Sequence, residues 1–97
     1  MNFRTPSIDR LFKTILNLES IDECYTYFED ICTIKEIQDM AHRLDTAILL
    51  TEGLSYQKIT EIADVSTVTI GRVNKCLNYG NGGYKKAIEK LKAEENK

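Results

Sequence analysis

The stretch from Ser55 to Gly80, SYQKITEIADVSTVTIGRVNKCLNYG, constrains this chain more than any other. A short amphipathic segment leads into a tight turn at Asp64-Val65-Ser66. A second segment follows, rich in Thr and Asn and carrying Arg72 and Lys75. Ser55 and Ser66 each stand where a hydroxyl would cap a helix start. Tyr56, Ile59, Ile62 and Ala63 recur at helical spacing on the first segment, and Val68, Ile70, Val73 and Leu77 do so on the second. The layout is that of a helix-turn-helix, whose second helix enters the major groove of DNA. Ala63 is small enough for two helices to cross closely there, and Val65 can plug the angle between them.

The flanking sequence is helical throughout. Pro6 suits the first turn of a helix, because its missing N–H would be unpaired there anyway. Ile8, Leu11, Phe12, Ile15 and Leu16 then form one apolar stripe, predicting a helix from about Ser7 to Leu18. Ser20-Ile21-Asp22-Glu23 and Thr33-Ile34-Lys35-Glu36 each fit a capping box. The first opens a helix with Ile21, Cys24, Tyr25 and Phe28 facing inward, ending near Asp30. The second opens the longest helix, with Ile37, Met40, Ala41, Leu44, Ala47, Ile48 and Thr51 on a stripe wide enough to meet neighbours on two sides. Gly53 ends it with a left-handed residue. Gly80 to Gly83 form a stop and turn, and no Lys-Ser/Thr follows to make a phosphate-binding loop. Tyr84, Ala87, Ile88 and Leu91 mark a final short helix, and Ala93 to Lys97 a charged, frayed tail. No β pattern or internal repeat interrupts this, so the fold expected is all-α with six helices.

Composition decides a few further points. At 97 residues the chain is one domain's worth, and a lone domain of this size buries only about 60–65% of its unfolded surface, which makes oligomerisation an expectation. No apolar run reaches the roughly 18 residues of a membrane span. Met1 to Pro6 has no signal-peptide pattern, so the expected location is cytoplasmic. Cys24, Cys32 and Cys76 have no zinc-ligand spacing and read as small apolar residues. His42 is the sole histidine, with no serine or cysteine beside it to form a nucleophile pair. Neither catalytic nor metal-ligating residues are expected. Net charge is −2, yet residues 1–50 balance at −4 and residues 56–92 at +4. The positive field therefore sits on the half that would meet phosphates.

The residues expected to meet double-stranded DNA are Gln57, Lys58, Thr67, Val68, Gly71, Asn74 and Lys75. Thr can bond several base edges, Val can meet a thymine methyl, and Gly allows close approach. Thr67, Gly71, Asn74 and Asn78 share one side of the second helix. Lys58, Lys75 and Lys85 are candidate phosphate contacts.

From about Ile34 to Lys90 the chain resembles the Trp repressor superfamily, and most nearly its Trp-repressor-related branch of small bacterial proteins. The resemblance is carried by Arg43-Leu44 through Leu49-Leu50, by Gly53 and Ser55, by Thr69-Ile70-Gly71-Arg72, and by Lys75-Cys76-Leu77-Asn78-Tyr79-Gly80 with Gly83-Tyr84. It implies an intertwined homodimer. Residues 1–32 would be dimerisation helices, 33–53 the central helix, 55–80 the helix-turn-helix and 83–94 the C-terminal helix. It further implies a transcriptional regulator, a repressor, on a near-palindromic operator, with recognition helices about 34 Å apart. In tryptophan-binding members two arginines flank the ligand. Arg72 falls directly at one of these positions, and Arg43 at the other with a one-residue slip near Gly53. A Gly follows the second arginine in those members, where this chain has Val73, whose methyls would fill the pocket. The expectation is therefore no cofactor, with tryptophan disfavoured and another small corepressor left open. Two rival readings use the same fold: a dimeric helical scaffold for protein interaction, and an amino-acid-sensing repressor.

Overall fold

The computed structural model describes residues 3–96. Among them the chain forms six helices and no strand: α1 (Pro6–Leu16), α2 (Ile21–Ile31), α3 (Ile34–Thr51), α4 (Tyr56–Ala63), α5 (Thr67–Tyr79) and α6 (Gly83–Glu95). The expected α6 boundary moves. Glu and Lys are good helix formers, so the charged segment through Glu95 continues the helix rather than fraying. Lys97, like Met1 and Asn2, lies outside the described residues.

Hydroxyl caps set the starts of α2 to α5 as anticipated, and Thr5 adds one at α1, which begins at Pro6 and ends at Leu16 rather than running from Ser7 to Leu18. The amide N–H groups of Ile8, Glu23, Glu36, Lys58 and Thr69 donate to the hydroxyls of Thr5, Ser20, Thr33, Ser55 and Ser66 at 3.1–3.2 Å. At α3 the box closes reciprocally, because Thr33 N–H donates to Glu36 Oε1 at 2.8 Å. At α2 the carboxylate reaches one residue further back and accepts from Glu19 N–H at 3.0 Å. The end of α3 is a Schellman motif. Leu54 N–H donates to Leu49 carbonyl and Gly53 N–H to Leu50 carbonyl, with Gly53 at φ 84°.

The chain divides between Ile37 and Gln38 into two units. In the first, the hydroxyls of Thr14 and Tyr27 lie 2.5 Å apart, linking α1 to α2. The Thr14 proton is committed to the Leu11 carbonyl at 2.6 Å, so Tyr27 donates to Thr14. The apolar stripes expected to be buried here are not buried within the chain. Ile8, Ile15, Cys24 and Phe28 are half-buried, while Leu11, Phe12, Leu16, Ile21 and Tyr25 are exposed, Leu16 by 82%. Two helices cannot enclose a core by themselves.

The second unit holds two apolar clusters. Ala47, Val73, Leu77 and Ile88 are buried together, joining α3, α5 and α6, with Leu44, Ile48, Leu50 and Tyr84 around them. Ile59, Ala63 and Ile70 form the other, which joins α4 to α5 against Leu49, Leu50, Leu54 and Val65. Leu50 touches both, so α3 does meet neighbours on two sides. Thr46 is fully buried and satisfies its hydroxyl on the His42 carbonyl at 2.7 Å. Tyr56 and Ile62 do not face inward as the α4 pattern suggested: this eight-residue helix buries only a narrow stripe, Ile59 and Ala63.

Candidate nucleic-acid interface

Helices α4 and α5 are joined by Asp64, Val65 and Ser66. Asp64 adopts the left-handed conformation (φ 52°, ψ 50°) that closes α4. Asp tolerates this region better than most residues. Val65 is half-buried against the Ile59–Ala63–Ile70 cluster, which is the plug its position suggested. Ser66 then caps α5.

The burial of Ile70, Val73 and Leu77 fixes the rotation of α5 about its axis. Thr67 and Val68 are left outward, and Val68 is 68% exposed. The sequence offered Val68 both as a packing residue and as a thymine contact; the structure gives it no place in the core. A Cβ built on Gly71 meets no atom within 4 Å, so nothing in the chain requires a glycine there. Asn74 is half-buried, and its Oδ1 accepts from Asn78 Nδ2 at 3.2 Å. Lys75, Gln57 and Lys58 are exposed. Lys58 Nζ lies 4.0 Å from Glu61 Oε2, and both side chains are largely in solvent, where such a pair contributes little. Thr67, Val68, Gly71, Asn74 and Lys75 thus belong to α5, with Gln57 and Lys58 in the first turn of α4.

The residues marked for a corepressor differ in their surroundings. Val73 is 1% exposed and sits among Ala47, Leu77 and Ile88. Arg43 borders a cleft of about 290 Å³ between α3 and the helix-turn-helix turn, lined also by Asp39, His42, Asp64, Val65, Ser66 and Thr69. Neither Arg72 nor Val73 lines it. His42, read from sequence as a structural or surface residue, shares this cleft with Arg43. The signal that could have found it is the spacing of Asp39, His42 and Arg43, which places all three on one side of α3.

A family model described as Trp repressor protein matches residues 6–92. The chain belongs to the Trp repressor family. That family consists of DNA-binding regulators, and the chain is not an enzyme. It is 48% identical over 92 residues to the uncharacterized protein YerC of Bacillus subtilis (strain 168), an alignment covering 95% of this chain and 88% of the relative. A solved TrpR-like protein from Eubacterium eligens ATCC 27750 superposes with a TM-score of 0.89 at 45% identity, covering 91% of each chain. A Staphylococcus aureus structure also gives 0.89, at 38% identity, over 92% of this chain and 89% of that one. Within this family fold, no helix among the described residues is long and apolar enough to cross a membrane.

Proposed function

We propose that the chain is a sequence-specific transcriptional repressor that binds a near-palindromic operator as a homodimer, in the bacterial cytoplasm. Its α5 reads the major groove through Thr67, Val68, Gly71 and Asn74, while Lys58, Lys75 and Lys85 neutralise phosphates. The observation that carries this reading is Gly71. A mid-helix glycine costs about 1 kcal/mol relative to alanine, and no contact within the chain accounts for it. It lies on the same side of α5 as outward Thr67, where a duplex would approach most closely. The exposed apolar residues of α1 and α2 supply a surface for a second copy.

Tryptophan is not required in this reading. What supports this is Val73, which stands beside Arg72 where tryptophan-binding members have Gly and is packed in the core at 1% exposure. A thermal-shift series with the twenty amino acids tests this, since a ligand at 100 times its Kd stabilises by about 2.7 kcal/mol. The expected result is no shift with tryptophan.

Selection of bound duplexes from a random pool tests the reading as a whole. Enrichment of one palindromic motif is expected. No enrichment at low salt would replace the repressor with a protein-interaction scaffold. The Gly71→Ala variant sharpens the test: it is expected to gain about 1 kcal/mol in thermal stability while binding the selected operator more weakly. Unchanged operator affinity would remove Gly71 from the interface.

A further inference from the structure

We propose that Asn81 is a self-modification site. Its side-chain amide is lost to attack by the Gly82 backbone nitrogen, and the carboxylate that results supplies a charge the start of α6 lacks. Asn81 and Gly82 lie in the link between α5 and α6. Asn81 is exposed, and Gly82 adopts the left-handed conformation (φ 84°, ψ 6°) immediately before α6.

The step needs no reagent but water. The Gly82 nitrogen gives up its proton and bonds to Asn81 Cγ, and the side-chain NH2 leaves as ammonia. A five-membered succinimide results. Water then opens the ring. Breaking the bond between Cγ and nitrogen leaves an aspartate, and breaking the bond between the main-chain carbonyl and nitrogen leaves an isoaspartate. Two features single out Asn81 for this attack. Glycine has no side chain to crowd the attacking nitrogen, whereas Phe3, Leu18, Lys75, Tyr79 and Lys97 follow the other asparagines. The second feature is hydrogen bonding. Leu18 N–H donates to the Ile15 carbonyl at 3.1 Å, and Lys75 and Tyr79 lie within α5, where each N–H donates four residues back. Gly80 N–H is held by the Cys76 carbonyl at 2.9 Å, and Lys86 N–H by the Gly82 carbonyl at 3.1 Å. The bonds that close α5 and open α6 therefore pass on either side of the Gly82 nitrogen, and among the described residues no backbone acceptor holds it.

The product changes the electrostatics of α6. Gly82 caps that helix without a side-chain hydrogen bond, and no acidic residue stands in its first turn. Lys85 and Lys86 stand near that end instead. A helix start carries partial positive charge, which favours anions and opposes lysines. A carboxylate at position 81 is ionised at neutral pH and precedes the cap by one residue. It therefore offsets both the helix dipole and the lysines, and α6 starts more stably after the amide is lost. This inference is independent of whether α5 reads DNA.

The experiment incubates the full chain for days at mildly alkaline pH and body temperature, followed by peptide mass spectrometry. Asn81 is expected to be the first asparagine to show the mass shift of NH2 replaced by OH. Two products of equal mass are expected to separate on chromatography, aspartate and isoaspartate, which is the signature of the succinimide. The rate should rise with hydroxide concentration, and Asn81→Gln should abolish the shift in this segment, because its longer side chain needs a larger ring. Conversion of Asn17 before Asn81, or aspartate as the sole product, overturns the proposed attack by Gly82. Asn81→Asp isolates the effect of the charge from that of the isomer. It is expected to unfold at a higher temperature than wild type, and an equal or lower Tm overturns the proposed role at the start of α6.

Discussion

The regions on either side of the Ile37–Gln38 division begin from the same kind of sequence and end differently. Both are amphipathic helices with hydroxyl caps and apolar residues at three- and four-residue steps. From Gln38 onward, seven apolar side chains are buried, among them Ile59 and Ile70 at 0% exposure. Before it, no residue of α1 or α2 reaches that state. A stripe at helical period states only that one face of a helix is apolar; it does not say what will cover that face. Helices α5 and α6 packed against α3 can enclose Ala47, Val73 and Ile88. A helical hairpin cannot enclose Leu16 or Ile21 without another surface.

The contrast can be broken first where it is greatest. Ile59→Ala removes a fully buried side chain and is expected to cost about 2–5 kcal/mol, read from urea unfolding. A cost below 1 kcal/mol would mean the α4–α5 cluster is not a core. On the other side of the division, Phe12→Asp places a charge on the exposed apolar face. Sedimentation equilibrium is expected to show dimer dissociation strengthened roughly thirtyfold, about 2 kcal/mol, as for a central interface residue. A wild-type chain that sediments as a monomer at all concentrations would leave that face without the proposed occupant.

Smaller effects are expected within the packed region. A Cβ on Gly80 would collide with the Cys76 carbonyl, which accepts the Gly80 N–H at the end of α5. Gly80→Ala is therefore expected to lose about 1–3 kcal/mol through that steric collision, measurable by thermal unfolding. The opposite sign is expected at Asp64, whose positive φ suits glycine better. Asp64→Gly should raise stability by about 0.5–1 kcal/mol. If it lowered stability instead, the Asp64 side chain would be contributing more to the turn than its backbone strain removes.

These differences also mark what the sequence could reveal. Caps are local, and the hydroxyl caps at Ser20, Thr33, Ser55 and Ser66 could be placed from neighbouring residues alone. So could the glycine closing α3. The α2 carboxylate bonding Glu19 was not legible, because a one-residue difference in reach leaves no trace in the pattern. The exposure of Ile62 and Tyr56 depends on how many neighbours α4 has, which its own periodicity does not contain. Val68 illustrates the same limit within the candidate interface: its spacing permitted both core and surface, and only the rotation of α5 chose between them. That His42 shares a cleft with Asp64 and Thr69 was not legible either, because those residues come from beyond α4.

The open space at Gly71 has a consequence for altering this protein. Side chains elsewhere along α5 are divided between those the core requires and those that already face outward with their own chemistry. Gly71 alone on that helix carries no side chain and has room for the start of one: a Cβ added there meets no atom within 4 Å, and alanine would strengthen the helix. A library at this single position could therefore respecify the preferred duplex while leaving the hydrophobic clusters beneath it unchanged.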